Sequence, residues 1–268
     1  MMKTRINVDE KPDLEDPILI EGLPGIGNVG RITAGYLIKE LGAKKFAELH
    51  SPHFLPLVLL HDDVVNTLKS EFYYWKNEDG KNDLIFLVGD CQCGESGSEG
   101  HYEIAETVLD LAEDLGVEKL ITLGGFGTGD LEEERDKPDV LGAVSDSDLI
   151  EKYDDLDIEF EETPSRVGMI VGATGLLLGL GKLRGIEGLC LMGETAGFPI
   201  LTDPKSAEEV IKVLMKIIDV DVEMEKLDER VDEMENFLKK LENIQNKAMK
   251  QLQDKQNIKG EENLRYIG

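Results

Sequence analysis

A chain of 268 residues, 41% hydrophobic and 32% charged, suits one sizeable domain plus an appendage; a body of roughly 220 residues buries about 70% of its unfolded surface and needs no staples. Lys and Arg number 29 against 56 Asp and Glu, a formal charge of −27 that repels nucleic-acid phosphates and anionic membranes and favours solubility or a basic protein partner. The odd set Cys91, Cys93 and Cys190 makes no disulfide framework, and without a signal-like N-terminus or an apolar run of about 20 residues the expected compartment is a reducing cytoplasm.

Residues 1–16 are charged and proline-bearing and read as a lead-in with little structure. A body over residues 17–218 follows. Residues 17–20 make a short strand, residues 21–30 a glycine turn, and residues 31–41 an amphipathic helix closed by Gly42. A second strand is expected over residues 55–60. Residues 68–75 and 84–88 read as strands paired around a turn at Asn77, Glu78, Asp79 and Gly80. Residues 101–115 form a helix stopped by Gly116, and 120–123 a strand entering a glycine-rich turn. The acidic stretch 130–163 holds a short strand at 140–144 and a helix near 148–153. Residues 167–171 look like a buried strand, 173–183 a glycine-containing helix, 188–192 a strand and 206–218 a helix, with Pro204 suiting its start. Short apolar strands alternating with helices indicate an α/β domain with a mostly parallel sheet.

Two constellations invite a chemical reading. Gly25-Ile-Gly27-Asn-Val-Gly30 fits G-x-G-x-x-G between a strand and a helix, where backbone N–H groups and the helix dipole can cradle a pyrophosphate. Glu48 would then face a ribose hydroxyl, yet it does not end a recognisable second strand, and tight packing of helix on strand explains the same glycines. Cys91 and Cys93 lie near His101, but no second pair supplies the four ligands zinc takes, so buried thiols are expected and no metal or cofactor. Ser96 and Ser98 do not build a nucleophile elbow. No catalytic constellation emerges.

From residue 219 the pattern changes. Met224, Leu227, Val231, Met234, Leu238 and Leu241 open a 3,4 spacing that continues through Gln245 and Ala248 to Leu252, an a/d seam of about four heptads. Residues 219–256 therefore read as a coiled-coil helix whose seam wants a partner helix, and a homo-oligomer is expected. Its alternative is an amphipathic helix lying on the body of its own chain. Residues 257–268 read as a polar spacer ending on Leu264, Arg265, Tyr266, Ile267 and Gly268. This apolar, carboxylate-ended peptide either folds back on the same molecule or docks elsewhere.

Several stretches together resemble the proteasome assembly chaperone family in its archaeal branch. They are residues 21–30, Gly89-Asp90 with Gln92, residues 100–104, Leu123-Gly124-Gly125, residues 172–179, and Gly193-Glu194-Thr195 with Asp203-Pro204-Lys205. The resemblance implies a three-layer α/β/α sandwich similar to purine nucleoside phosphorylases. It also implies an ATP-independent chaperone or activator-like protein that binds α subunits of the proteasome core particle and is no enzyme. Family tails end hydrophobic–Tyr–any residue, with the tyrosine and carboxylate entering pockets between α subunits. This chain departs from that pattern, because Tyr266 is third from the end and Ile267 second. The rival expectation is a nucleotide- or nucleoside-binding enzyme built on the turn at Gly25 to Gly30.

Overall fold

The computed structural model describes residues 3–61, 63–78, 82–94, 98–128, 137–160, 168–195, 202–224 and Leu227. In chain order these form strand β1 (Arg5–Val8), strand β2 (Ile18–Glu21), helix α1 (Val29–Glu40) and strand β3 (Lys44–His50). The hairpin β4 (Val58–His61) and β5 (Val64–Thr67) follows, then β6 (Ser70–Trp75) and β7 (Leu84–Gly89), and then α2 (Ser98–Asp114). The second half runs β8 (Lys119–Gly127), β9 (Val140–Val144), α3 (Ala173–Leu183), β10 (Glu187–Thr195) and α4 (Pro204–Ile218).

Among the described residues the main sheet has eight strands in the order β1-β3-β6-β7-β2-β8-β10-β9. Its middle, β7-β2-β8-β10, is parallel, and every pairing outside it is antiparallel. The sheet is therefore mixed, not mostly parallel as expected. The physical reason is the connections: a chain that returns within eight residues, as between β6 and β7 at 76–83, is too short for the crossover that a parallel pair needs. Of the middle strands, β8 follows α2 and β10 follows α3, and the strands of this middle are buried on both faces along most of their length.

Helices α1 and α4 pack together on one face and α2 and α3 on the other, which makes the three layers. Leu19, Ile85, Leu87 and Leu120 meet Ala105, Val108, Leu109 and Leu177 beneath α2 and α3. Helix α4 is started by Asp203, whose Oδ1 accepts from Ser206 N at 3.0 Å, with Pro204 at the first position. Arg184, just past α3, binds Glu106, Asp110 and Glu113 on α2 and clamps the two helices side by side.

Other expectations give way to tertiary structure. The lead-in holds β1, paired to β3 along its length. Helix was expected at 148–153, but two 3-10 turns stand at Ser147–Leu149 and Glu151–Tyr153. Residues 168–171 form no strand, and Met169 and Val171 are 81% and 78% exposed. The chain divides into a unit of Met1–Leu227 and a second of Asp228–Gly268, and the second lies outside the described residues.

Candidate functional site: the carboxyl edge of the sheet and the root of the C-terminal segment

In an open α/β sheet, loops at the carboxyl ends of the parallel strands are where ligands bind. Here those loops are tied to one another. The Gly25–Gly30 turn joins β2 to α1 through two left-handed residues, Gly27 at φ 62° and Asn28 at φ 50°. Gly30 lets α1 approach β8 closely: a Cβ there would lie 2.4 Å from Leu123 O. Asp203 N donates to Gly27 O at 2.9 Å, fastening the turn to the start of α4. The Gln92 amide bridges two more loops, with Nε2 donating to Pro24 O at 2.7 Å and Oε1 accepting from Ala173 N at 3.0 Å. Gln92 thereby links the turn after β2 to the first N–H of α3, one of the donors a helix leaves unpaired.

Glu21 ends β2 beneath these loops with no exposed surface. Its Oε1 accepts from Leu23 N at 2.9 Å, while Oε2 is buried without a hydrogen-bond partner. Burial pushes this carboxyl up to about 7, against contacts with the Leu23 backbone, the Thr174 hydroxyl and the Leu123 backbone that favour the charge. Sequence reasoning passed over Glu21. Its signal was a carboxylate closing an otherwise apolar strand, immediately before a glycine turn.

The dinucleotide elements are not brought together. Strand β3 lies beyond β7 and β6 from β2, whereas a dinucleotide unit sets its second strand beside its first. Glu48 is held by Lys45 and Lys69, each Nζ at 2.5 Å, and this pairing lowers its carboxyl to about 2. The thiols of Cys91 and Cys190 are buried and pushed up to about 12, and burial is the main cause in both. Cys93 Sγ donates to His53 O at 3.6 Å, and His53 Nε2 meets Glu103 Oε2 at 3.2 Å. His101 lines a narrow internal cavity of about 20 Å³ with Cys91 and Cys93. Among the described residues no group of three His, Cys, Asp or Glu is placed to hold a metal ion.

Two of the expected seam residues are described. After α4 the chain turns at Asp219, left-handed at φ 54°, and residues 220–224, Met224 among them, carry no helix, where one was expected from residue 219. Leu227 is 3% exposed within the single chain. The Tyr36 hydroxyl on α1 donates to Glu223 O, which fastens the root of the C-terminal segment to the body. Val231, Met234, Leu238 and Leu241 of the seam, and Leu264, Arg265, Tyr266, Ile267 and Gly268 of the tail, lie outside the described residues. No helix among the described residues is long and apolar enough to cross a membrane.

A mixed sheet between two helical layers, with glycine turns packed shut at its carboxyl edge, defines an α/β/α body of a known family. The PAC2 family model matches residues 19–242, and the chain belongs to that family. Among solved structures it is similar to Pyrococcus furiosus PbaB, described as an archaeal proteasome activator, at 46% identity and a TM-score of 0.79 over 90% of this chain and 100% of that one. Pyrococcus furiosus PbaA, described as an archaeal homolog of proteasome-assembly chaperone, matches at 27% identity and a TM-score of 0.71 over 92% and 99% of the two chains. The uncharacterized Methanocaldococcus jannaschii protein MJ1210 is 39% identical over 266 residues, 99% of this chain and 97% of its own.

Proposed function

We propose that this chain is a cytoplasmic, ATP-independent proteasome assembly chaperone or activator-like protein, whose partner is the α ring of the archaeal core particle. The observation that carries this reading is the likeness to PbaB, 46% identical along the whole of that chain. The carboxyl edge favours packing over a nucleotide cradle: Gly30 seats α1 on β8, and the Gln92 bridge ties the turn after β2 to the start of α3.

The grip is assigned to Leu264, Arg265, Tyr266, Ile267 and the Gly268 carboxylate. One such peptide, with a single aromatic contact and a charge-assisted carboxylate bond, reaches only millimolar affinity, about −4 kcal/mol. Several tails on one homo-oligomer gain ~10²–10⁴ in avidity with no new contact. The expected seam supplies the copies through Val231, Met234, Leu238 and Leu241, beyond the non-helical Met224 and the Leu227 buried in its own chain, so oligomer and tail belong together. Immobilised core particle, incubated with the full chain or with one lacking residues 264–268, tests the reading. Capture of the full chain, equal with and without ATP and lost on truncation, is the expected result. Equal capture of both chains contradicts it.

A further inference from the structure

The edge strand β1 has a charge pattern that matches itself in reverse. Lys3 and Arg5 precede its centre and Asp9 and Glu10 follow it. Arg5, Asn7, Val8, Asp9 and Glu10 are exposed, and Val8 keeps 45% of its surface in solvent. Among the described residues, neither the Arg5 guanidinium nor the Asp9 carboxylate has a hydrogen bond or ion pair. An edge strand presenting unpaired backbone groups is a template for another strand, and proteins that avoid this place prolines, bulges or lysines within the edge. None of these falls within Arg5–Val8.

The backbone fixes which groups are free. Asp9 N donates to Phe46 O at 2.8 Å, so alternation along an antiparallel ladder turns the backbone groups of Arg5 and Asn7 toward β3 and those of Ile6 and Val8 outward. Thr4 N is outward by the same rule, and it is already bonded to Glu103 Oε1 at 2.7 Å. The free stretch is thus Ile6 to Val8, bounded by a charge of each sign.

We propose that β1 pairs antiparallel with β1 of a second copy about a two-fold axis through Asn7. It rests on the multi-copy reading above and names one interface of it. Ile6 stands opposite the second copy's Val8, each exchanging N–H···O bonds with the other, and symmetry repeats the pair. Asn7 faces its own counterpart. Arg5 falls opposite the second copy's Asp9 in a pair without backbone hydrogen bonds, the class in which Cα atoms approach to about 4.5 Å and opposite charges meet best. The alternative registers lose this match. Sliding by one residue faces outward N–H groups with inward-turned backbone; sliding by two sets Arg5 against Lys11 in one direction, and in the other sets Lys3 against Asp9 but needs Thr4 N, which Glu103 already holds.

The test is the native mass and dissociation constant of the full chain in four forms: wild type, Arg5→Asp, Asp9→Arg and the double exchange. Both positions are exposed, so the fold, checked by circular dichroism, stays intact. Each single reversal turns two attractive cross-strand pairs into repulsive ones and is expected to raise the dissociation constant of this contact roughly tenfold or more, while the double exchange restores it. Val8→Pro, which removes an outward donor and leaves the inner ladder, is expected to act like the single reversals. Singles without effect, or a double exchange no tighter than its parents, overturn the proposal. Failure here is separable from failure of the tail reading. Silent reversals with capture still lost on truncation sink the edge pairing alone, whereas a restored double exchange with capture surviving truncation sinks the tail and keeps the edge.

Discussion

The Glu21 carboxyl is fully buried with one oxygen unpartnered, and burial holds its proton up to a pH of about 7, against 4.5 for an ordinary glutamate. A raised folded-state value means the native chain binds this proton more tightly than the unfolded chain. The contribution to stability is therefore complete below about pH 4.5, is lost as pH rises through 7, and is flat beyond, a swing of about 3 kcal/mol. Glu21→Gln mimics the protonated form, so its melting temperature should lose the fall between pH 5 and 7 that the wild type shows, roughly two pH units wide. An unchanged slope in the variant contradicts the assignment. The glycines offer a second contrast at this scale. Gly30→Ala forces a Cβ to 2.4 Å from Leu123 O, whereas the nearest atom to a Cβ on Gly25 is 4.0 Å away. Denaturant unfolding should show Gly30→Ala costing about 2–3 kcal/mol and Gly25→Ala within about 0.5. A phosphate cradle predicts the reverse emphasis, with Gly25→Ala abolishing a nucleotide-induced thermal shift.

Elements with a single clear period were legible. Helix α3 occupies the expected 173–183, β9 the expected 140–144, and β6 and β7 pair as expected, while Asp79 and Gly80 of the expected turn lie outside the described residues. Strand β3 was missed because a bulge between Lys45 and Ala47 breaks its alternation, burying the consecutive side chains of Phe46 and Ala47. β1 was missed because a polar edge strand is defined by its neighbour, not by its own composition. Residues 167–171 misled in the other direction: an apolar run reads as core, yet Met169 and Val171 are exposed, and Met169 lines an open groove of about 660 Å³ between α3 and β9. The glycine turn was legible as a place, and its meaning was left open because phosphate binding and close packing ask for the same residues. Gln92 could be quoted from the sequence, but its role could not, since its partners Pro24 and Ala173 lie 68 and 81 residues away. Gln92→Ala strands both partners and should cost about 2–3 kcal/mol, with hydrogen exchange at the start of α3 accelerating before that of β8. Uniform acceleration would place the bridge outside the local cooperative unit.

At the scale of the whole molecule, two kinds of contact divide the work. On the proposed reading, copies are joined along β1 and through the C-terminal seam, and the carboxylate-ended peptide meets the partner. A charge of −27 works against crowding many copies together, which favours specific and few contacts of the kind proposed, a two-fold edge pair and a narrow a/d seam. Tyr36 fastening Glu223 gives the C-terminal segment a fixed root, which matters because avidity is lost when the spans between sites cannot be matched. Tyr36→Phe should leave the oligomer mass unchanged and weaken core-particle capture several-fold, read by surface plasmon resonance. The most direct test of weak grips added across copies is the native mass of core particle mixed with this chain, with and without its last five residues. The account predicts that the full chain adds the mass of several copies to the core particle, while the shortened chain keeps its own oligomer and leaves the core particle bare. Core particle carrying the shortened chain at the same stoichiometry would contradict it.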